Sequence, residues 1–172
     1  MSYLISQLLM LYKSDEGKYE LNPEMLDLNF ITEEVANEFK SLSSKKDIKI
    51  LFNSCDKITI NADQTLITRM LINLIDNAAR YTRSGGTVII DLSKENGNAI
   101  IKVCDTGKGI AKEDIDHIFD RFYQANEARN GQGSGLGLSI VKWIVQVHKG
   151  EISVKSAPEK GSCFTVKLPL YT

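Results

Sequence analysis

Gly131-Gln-Gly133-Ser-Gly135-Leu-Gly137 runs without a break into Leu138-Ser-Ile-Val-Lys-Trp-Ile-Val145, an apolar stretch with helical character. Glycine lets backbone N–H groups crowd against a ligand, and a helix start adds unpaired N–H groups and the positive end of a dipole. The natural guest for such a junction is a phosphate chain. Taken alone, the run is equally compatible with a mobile loop. A P-loop is excluded because no lysine follows these glycines at the required offset. A dinucleotide fingerprint needs a strand just before the glycines. Gln124-Ala-Asn-Glu-Ala-Arg-Asn130 is polar and irregular instead. The site therefore needs partners elsewhere in the chain.

With 172 residues, 42% hydrophobic and 25% charged, the chain is long enough for one ordinary core, or one core plus an appendage. A net charge of −1, with no basic run, argues against nucleic-acid and anionic-membrane binding. Cys55, Cys104 and Cys163 lie in apolar, strand-like stretches without CxxC spacing. They read as reduced core residues of a cytoplasmic protein rather than metal ligands or a disulfide set. No apolar stretch reaches the length of a membrane span, and the Met1-Ser-Tyr start lacks a basic leader.

Residues 2–14 carry one apolar stripe at helical spacing, ended near Gly17, a plausible C-cap. So short a helix is marginal alone and reads as the end of a longer element. The boundary is expected near residues 17–22, which divides the chain into residues 1–20 and a domain over residues 21–172. Within the domain, a strand-like entry precedes a helix capped near Asn29 or Thr32. Strands are expected at 48–52 and 58–60. The spacing of Leu66, Ile67, Met70, Leu71, Leu74, Ile75 and Ala78 predicts a strong helix over 63–81. Strands at 87–93 and 99–104 flank an Asn96-Gly97 turn. A short helix over 112–119, a helix from the glycines to about Val147, and a hairpin of 151–156 with 162–168 complete a two-layer pattern of helices on a mixed sheet.

On the strong helix, Asn73, Asn77 and Arg80 share one face at i, i+4 and i+7. Amide oxygens suit a hydrated Mg²⁺, and a guanidinium suits a polyphosphate. A solvated face with an ordinary Asp76–Arg80 pair fits that helix alone at least as well. Asp105-Thr-Gly107-Lys-Gly109-Ile follows a strand, where a carboxylate can accept the exocyclic amino proton of adenine, or where a simple turn can sit. Ile118-Phe-Asp-Arg-Phe122-Tyr supplies aromatics for stapling a lid or for core packing.

In order and spacing these segments resemble the boxes of sensor histidine kinases. Asn73-Leu-Ile-Asp-Asn77-Ala-Ala-Arg80-Tyr-Thr is similar to their N box, and Asp105-Thr-Gly-Lys-Gly109-Ile to their G1 box. Ile118-Phe-Asp-Arg-Phe122-Tyr resembles the F box, Gly133-Ser-Gly135-Leu-Gly137-Leu-Ser-Ile the G2 box, and Gly161-Ser-Cys-Phe-Thr165 the closing strand. The likeness covers about Leu21 to Leu170. It implies a Bergerat-type α/β two-layer sandwich, with a mixed sheet of about five strands against three helices and a mobile ATP lid over roughly residues 120–136.

The resemblance also implies roles. Asn77 would ligate Mg²⁺, Asn73 would sit at the phosphates, and Arg80 would contact them; these three form the catalytic set. Tyr81 would border ATP, and Asp105 would read adenine with Gly107, Gly109 and Ile110 beside the base. Gly133, Gly135 and Gly137 would offer N–H groups to the phosphates, and Phe122, Ser134, Leu136, Leu138 and Thr165 would complete the lining. The family often has a basic residue after the F box; here it is Gln124, so Arg121 or Arg129 would supply that charge.

The family's phosphoacceptor histidine has no counterpart, because His117 and His148 both fall outside its context. Residues 2–17 resemble the end of the second helix of the family's histidine-phosphotransfer hairpin, as in a piece of a longer sensor. The implied function is γ-phosphoryl transfer from Mg·ATP to a histidine on that hairpin, then to an aspartate of a response regulator. The parent would be a homodimer and this domain cytoplasmic, whether or not the parent is anchored in the bacterial membrane. Hydrolytic relatives carry a glutamate where Asn73 stands, which disfavours an ATPase. A non-catalytic nucleotide-binding module and an anti-sigma-type serine kinase are the alternatives.

Overall fold

The structure is a computed structural model that describes residues 8–10, 12, 16, 19–43, 47–54, 56–125 and 134–170. Strand β1 (Glu24–Asp27) leads into helix α1 (Leu28–Ser43), followed by β2 (Lys49–Ser54), β3 (Thr59–Ala62) and helix α2 (Gln64–Tyr81). Then come β4 (Thr87–Glu95), β5 (Asn98–Asp105), the single turn α3 (Lys112–Ile115), α4 (Gly137–Val147), β6 (Glu151–Ser156) and β7 (Ser162–Pro169).

Five strands form one sheet in the order β2-β4-β5-β7-β6, while β1 and β3 pair separately. The β2–β4 pair is parallel and the other pairs are antiparallel, so the main sheet is mixed as expected. A parallel pair needs a crossover, and here α2 lies on that crossover. Alternation decides which face is covered. Val88, Ile90 and Leu92 of β4, Ile101 and Val103 of β5, and Phe164, Val166 and Leu168 of β7 are all buried. They meet Leu66, Met70, Leu74 and Ala78 of α2 and Ile140, Val141 and Ile144 of α4 in one cluster. Between them, Lys102, Ser153, Lys155 and Lys167 point to the opposite, exposed face.

Local chemistry sets the helix starts. Asp63 caps α2 by accepting the Leu66 N–H at 3.1 Å, and the Thr82 N–H closes its other end onto the Ala78 carbonyl at 3.0 Å. The Asp63 N–H donates to His148 Nε2 at 3.1 Å, and the other ring nitrogen lies 2.8 Å from the Ile144 carbonyl. His148 is thus a tie between α4 and α2. The cap of α1 is Asp27, whose Oδ1 accepts the Phe30 N–H at 3.1 Å, and not Asn29 or Thr32. Asn29 is used differently: it accepts the Ile58 N–H and donates to the Asp56 carbonyl, holding the β2–β3 connection. Thr32 is buried and donates its hydroxyl to the Leu28 carbonyl. The helix expected over 112–119 keeps only its first turn, and residues 116–119 continue as turns.

Two described residues before β1 reach the domain. Met10 is buried with its sulfur 3.5 Å from an Arg69 guanidinium nitrogen, and Tyr19 meets Trp143 edge-on at 5.1 Å. The expected cap Gly17 lies outside the described residues.

The cysteines depart from expectation. Cys104 and Cys163 stand directly opposite in the β5–β7 register, with Cα atoms 4.0 Å apart, and are joined by a disulfide. A separation of 59 residues carries no local signal of this pairing, which the strand register alone creates. Cys55 lies outside the described residues.

Candidate functional site

One end of the helix-covered face gathers most of the predicted residues. Asn73, buried on α2, sits against the start of α4: its Oδ1 lies 3.6 Å from where a Cβ on Gly137 would be. Asn77, one turn further along, is half-buried on the same face, and Arg80 is exposed at the last turn. The Arg80 guanidinium is engaged with the Asp76 carboxylate at 2.7 Å, the i,i+4 pair that the sequence left open. Tyr81 ends α2, with its carbonyl accepting the Lys108 N–H at 3.3 Å and the Lys108 ammonium 5.1 Å above its ring.

Asp105 ends β5 on the same face as Val103, half-buried. Burial pushes its carboxyl above the ordinary carboxylate range, while the Gly107 and Ser162 backbone N–H groups pull it down. The Gly107 bond is 2.8 Å. The loop after it is clamped by backbone. A Cβ on Gly107 would fall 2.4 Å from the Tyr81 carbonyl oxygen, and one on Gly109 would fall 1.9 Å from that of Ala157. Gly109 also has φ +70°, which favours glycine independently. These glycines are thus required by contacts within the protein, whatever lies beside them. Ile110 is half-buried against the core, and its N–H donates to Ser156 Oγ at 2.9 Å.

The two ends of the expected lid meet. The Phe122 N–H donates to the Gly135 carbonyl at 3.0 Å, and a Cβ on Gly135 would lie 2.7 Å from the Phe122 carbonyl carbon. Both have positive φ, +62° and +69°. Gly135 therefore serves a backbone crossing. Phe122 is 64% exposed, whereas Phe119 packs edge-on against Phe164 in the core. Gly133 and Arg129 lie outside the described residues; Arg121 is exposed and Gln124 half-buried. Ser134 accepts the Leu136 N–H at 3.3 Å, Leu136 is fully buried, and Leu138 is half-buried against the core. The α4 N-cap, Leu136, supplies no side-chain cap to the first-turn N–H groups beside Asn73, donors of the kind that suit an anion.

Thr165 does not join this group. Its place in β7 alternates with the buried Phe164 and Val166, so it faces the opposite side of the sheet with Cys163 and Lys167. Ser162, three residues earlier and buried, stands beside Asp105 instead. Ser156 and Ser162 are the residues that sequence reasoning missed. Their only signal is adjacency to the Gly161 turn.

His117 lies 2.9 Å from the Asp120 carboxylate on the surface. With His148 tied to Asp63, neither histidine stands beside Asn73, Asn77 or Asp105. Among the described residues no three His, Cys, Asp or Glu side chains cluster as metal ligands. The donor set still fits Mg²⁺, which takes one or two protein oxygens and completes its shell with water and phosphate. No helix among the described residues is long and apolar enough to cross a membrane.

Residues 62–172 match the family described as histidine kinase-, DNA gyrase B-, and HSP90-like ATPase. The sensor protein SrrB of Staphylococcus aureus is 35% identical over 168 residues, which is 96% of this chain and 29% of SrrB. The chain thus spans less than a third of that relative. The Acinetobacter baumannii histidine kinase AdeS superposes with a TM-score of 0.82 at 29% identity, over 99% of this chain and 79% of that one. The catalytic domain of histidine kinase ThkA, in a nucleotide-free form, gives 0.78 at 29% identity, over 87% of this chain and 96% of that domain.

Proposed function

The chain belongs to the histidine kinase-, DNA gyrase B-, and HSP90-like ATPase family, and from that premise we propose that it presents Mg·ATP to a phosphoacceptor histidine in a two-component relay. It is an ATP-binding domain of the histidine kinase type. The observation that carries the proposal is the convergence of Asn73 and Asn77 on α2, the start of α4 at Gly137, and Asp105 at the end of β5.

In this reading the Asp105 carboxylate accepts the amino proton of adenine, with the loop over Gly107, Gly109 and Ile110 along the base. Tyr81 borders the nucleotide. The first-turn N–H groups of α4 and the Asn73 amide hold the phosphates. Bound Mg²⁺ neutralises phosphate charge, and the Asn77 amide oxygen is the protein donor suited to hold it. Arg80 adds positive charge after exchanging Asp76 for a phosphate oxygen. Phosphoryl transfer asks the protein mainly for positioning and charge stabilisation, which suits a site of amides, backbone N–H groups and one guanidinium. The acceptor histidine belongs to a hairpin whose second helix ends in residues 1–20. An aspartate of a response regulator receives the phosphoryl group next, and the parent dimerises through the hairpin in the cytoplasm.

Mixing the chain with a separately produced histidine hairpin and γ-labelled ATP tests this. Label should appear on the hairpin histidine and depend on Mg²⁺. Label on this chain, or hydrolysis without transfer, refutes the proposal.

A further inference from the structure

We propose that Ser156, at the end of β6, is a positioning residue for base recognition: its hydroxyl fixes the loop after Asp105 and so sets the preference for adenine. The inference rests on Asp105 being the base-reading carboxylate.

The hydroxyl is fully used. Ser156 Oγ accepts the Ile110 N–H at 2.9 Å and donates to the Gly161 carbonyl at 2.8 Å. It also lies 2.9 Å from Ser162 Oγ. A serine hydroxyl has one proton and two lone pairs. With the proton on the Gly161 carbonyl, Ser162 must be the donor in the third bond. One side chain therefore joins the far end of the Asp105–Ile110 loop to Gly161, the last turn residue, and to Ser162, the first of β7, both of which flank Asp105.

The rest of the contact is backbone against backbone. The Glu159 N–H donates to the Lys108 carbonyl at 2.7 Å. A Cβ on Gly161 would sit 1.9 Å from the Asp105 carbonyl oxygen, and one on Gly109 equally close to that of Ala157. The Ser162 N–H reaches the Asp105 carboxylate itself. The loop from Thr106 to Ala111 has no helix or strand of its own. Tyr81 supports the loop from the α2 side, the β6–β7 turn supports it from the other, and Ser156 is the side chain that ties Ile110 to that turn.

The test compares ATP with purine riboside triphosphate, which lacks the 6-amino group, by calorimetry with Mg²⁺ on the full chain. Ser156→Ala removes all three bonds of the buttress, and the part of that loss that reaches the base should weaken ATP binding by at least about tenfold. The purine analogue, which has no amino proton to give, should be little affected, so the preference shrinks. Ser156→Thr, which keeps the hydroxyl, should restore it. Hydrogen exchange at the Ile110 amide should rise in the alanine variant alone. An unchanged preference, or an equal loss for both nucleotides, overturns the proposal. If Ser156→Ala does not fold, Ser156→Cys, with its weak S–H donor, is read by the same ratio. Asp105→Ala separates the two levels. If it abolishes the preference and Ser156→Ala does not, only the Ser156 role falls. If it leaves the preference intact, the base-reading role of Asp105 falls and takes this inference with it.

Discussion

Replacing Gly161 with alanine should be among the most damaging single-methyl changes in the molecule. Two separable costs combine there. Gly161 has φ +76°, a left-handed conformation that charges an L-residue about 1–2 kcal/mol. In addition, the new Cβ would lie 1.9 Å from the Asp105 carbonyl oxygen and 2.8 Å from its carbon, against a floor of 3.0 Å for real Cβ contacts. More than 1 Å of movement is needed, and the obstacle is backbone rather than a side chain that can swing away. Overpacking of this kind costs about 1–3 kcal/mol, for a total of roughly 2–5 kcal/mol. Gly97, in the β4–β5 turn, provides the internal control. Its φ is also +76°, and nothing lies within 4 Å of its would-be Cβ. Gly97→Ala should therefore show the conformational cost alone, about 1–2 kcal/mol. Urea denaturation of both variants measures the difference. Equal stabilities within about 0.5 kcal/mol would refute the claim that Gly161 is held by packing.

Further outcomes follow from Asp105 and from the cysteines. Because the folded-state pKa of Asp105 is raised by burial, its ionisation opposes folding: the fold is favoured while the group is protonated, and that advantage is lost as pH rises through the raised pKa. Asp105→Asn should therefore gain stability relative to the native chain as pH rises out of the acid range, as read by thermal unfolding at a series of pH values. A constant difference across that range would contradict the burial. For the disulfide, intact-mass measurement under non-reducing conditions should find the chain short of two hydrogens, and Cys163→Ser should recover them. The bridge closes a loop of 59 residues, worth about 4 kcal/mol in the chain-entropy estimate, so the reduced or Cys163→Ser protein should unfold at lower denaturant. A mass matching three free thiols, or an unchanged unfolding midpoint, counts against it.

What could be read from the sequence was whatever local periodicity carries. The 3.6-residue stripe from Leu66 to Ala78 marked α2, and the Asn96-Gly97 turn marked the β4–β5 hairpin, with both residues at positive φ as that turn requires. Asn73 and Gly137 were singled out from separate motifs, and the fold brings them into contact. What the sequence hid depends on register. Thr165 and Ser162 belong to one strand, and only the pairing of Cys104 with Cys163 decides which of them stands beside Asp105. The same pairing made a disulfide of two cysteines that looked like reduced core residues. The glycines carry a second role that local sequence does not show. Gly109 and Gly135 also lie against the protein's own backbone, at Ala157 and Phe122.

The crossing of Phe122 and Gly135 has a consequence for how such a domain can diversify. Phe122 and Gly135 are stitched together at one backbone crossing, which holds these two positions side by side. Their separation is set by the body of the domain, so a longer or shorter sequence joining them has no gap to bridge.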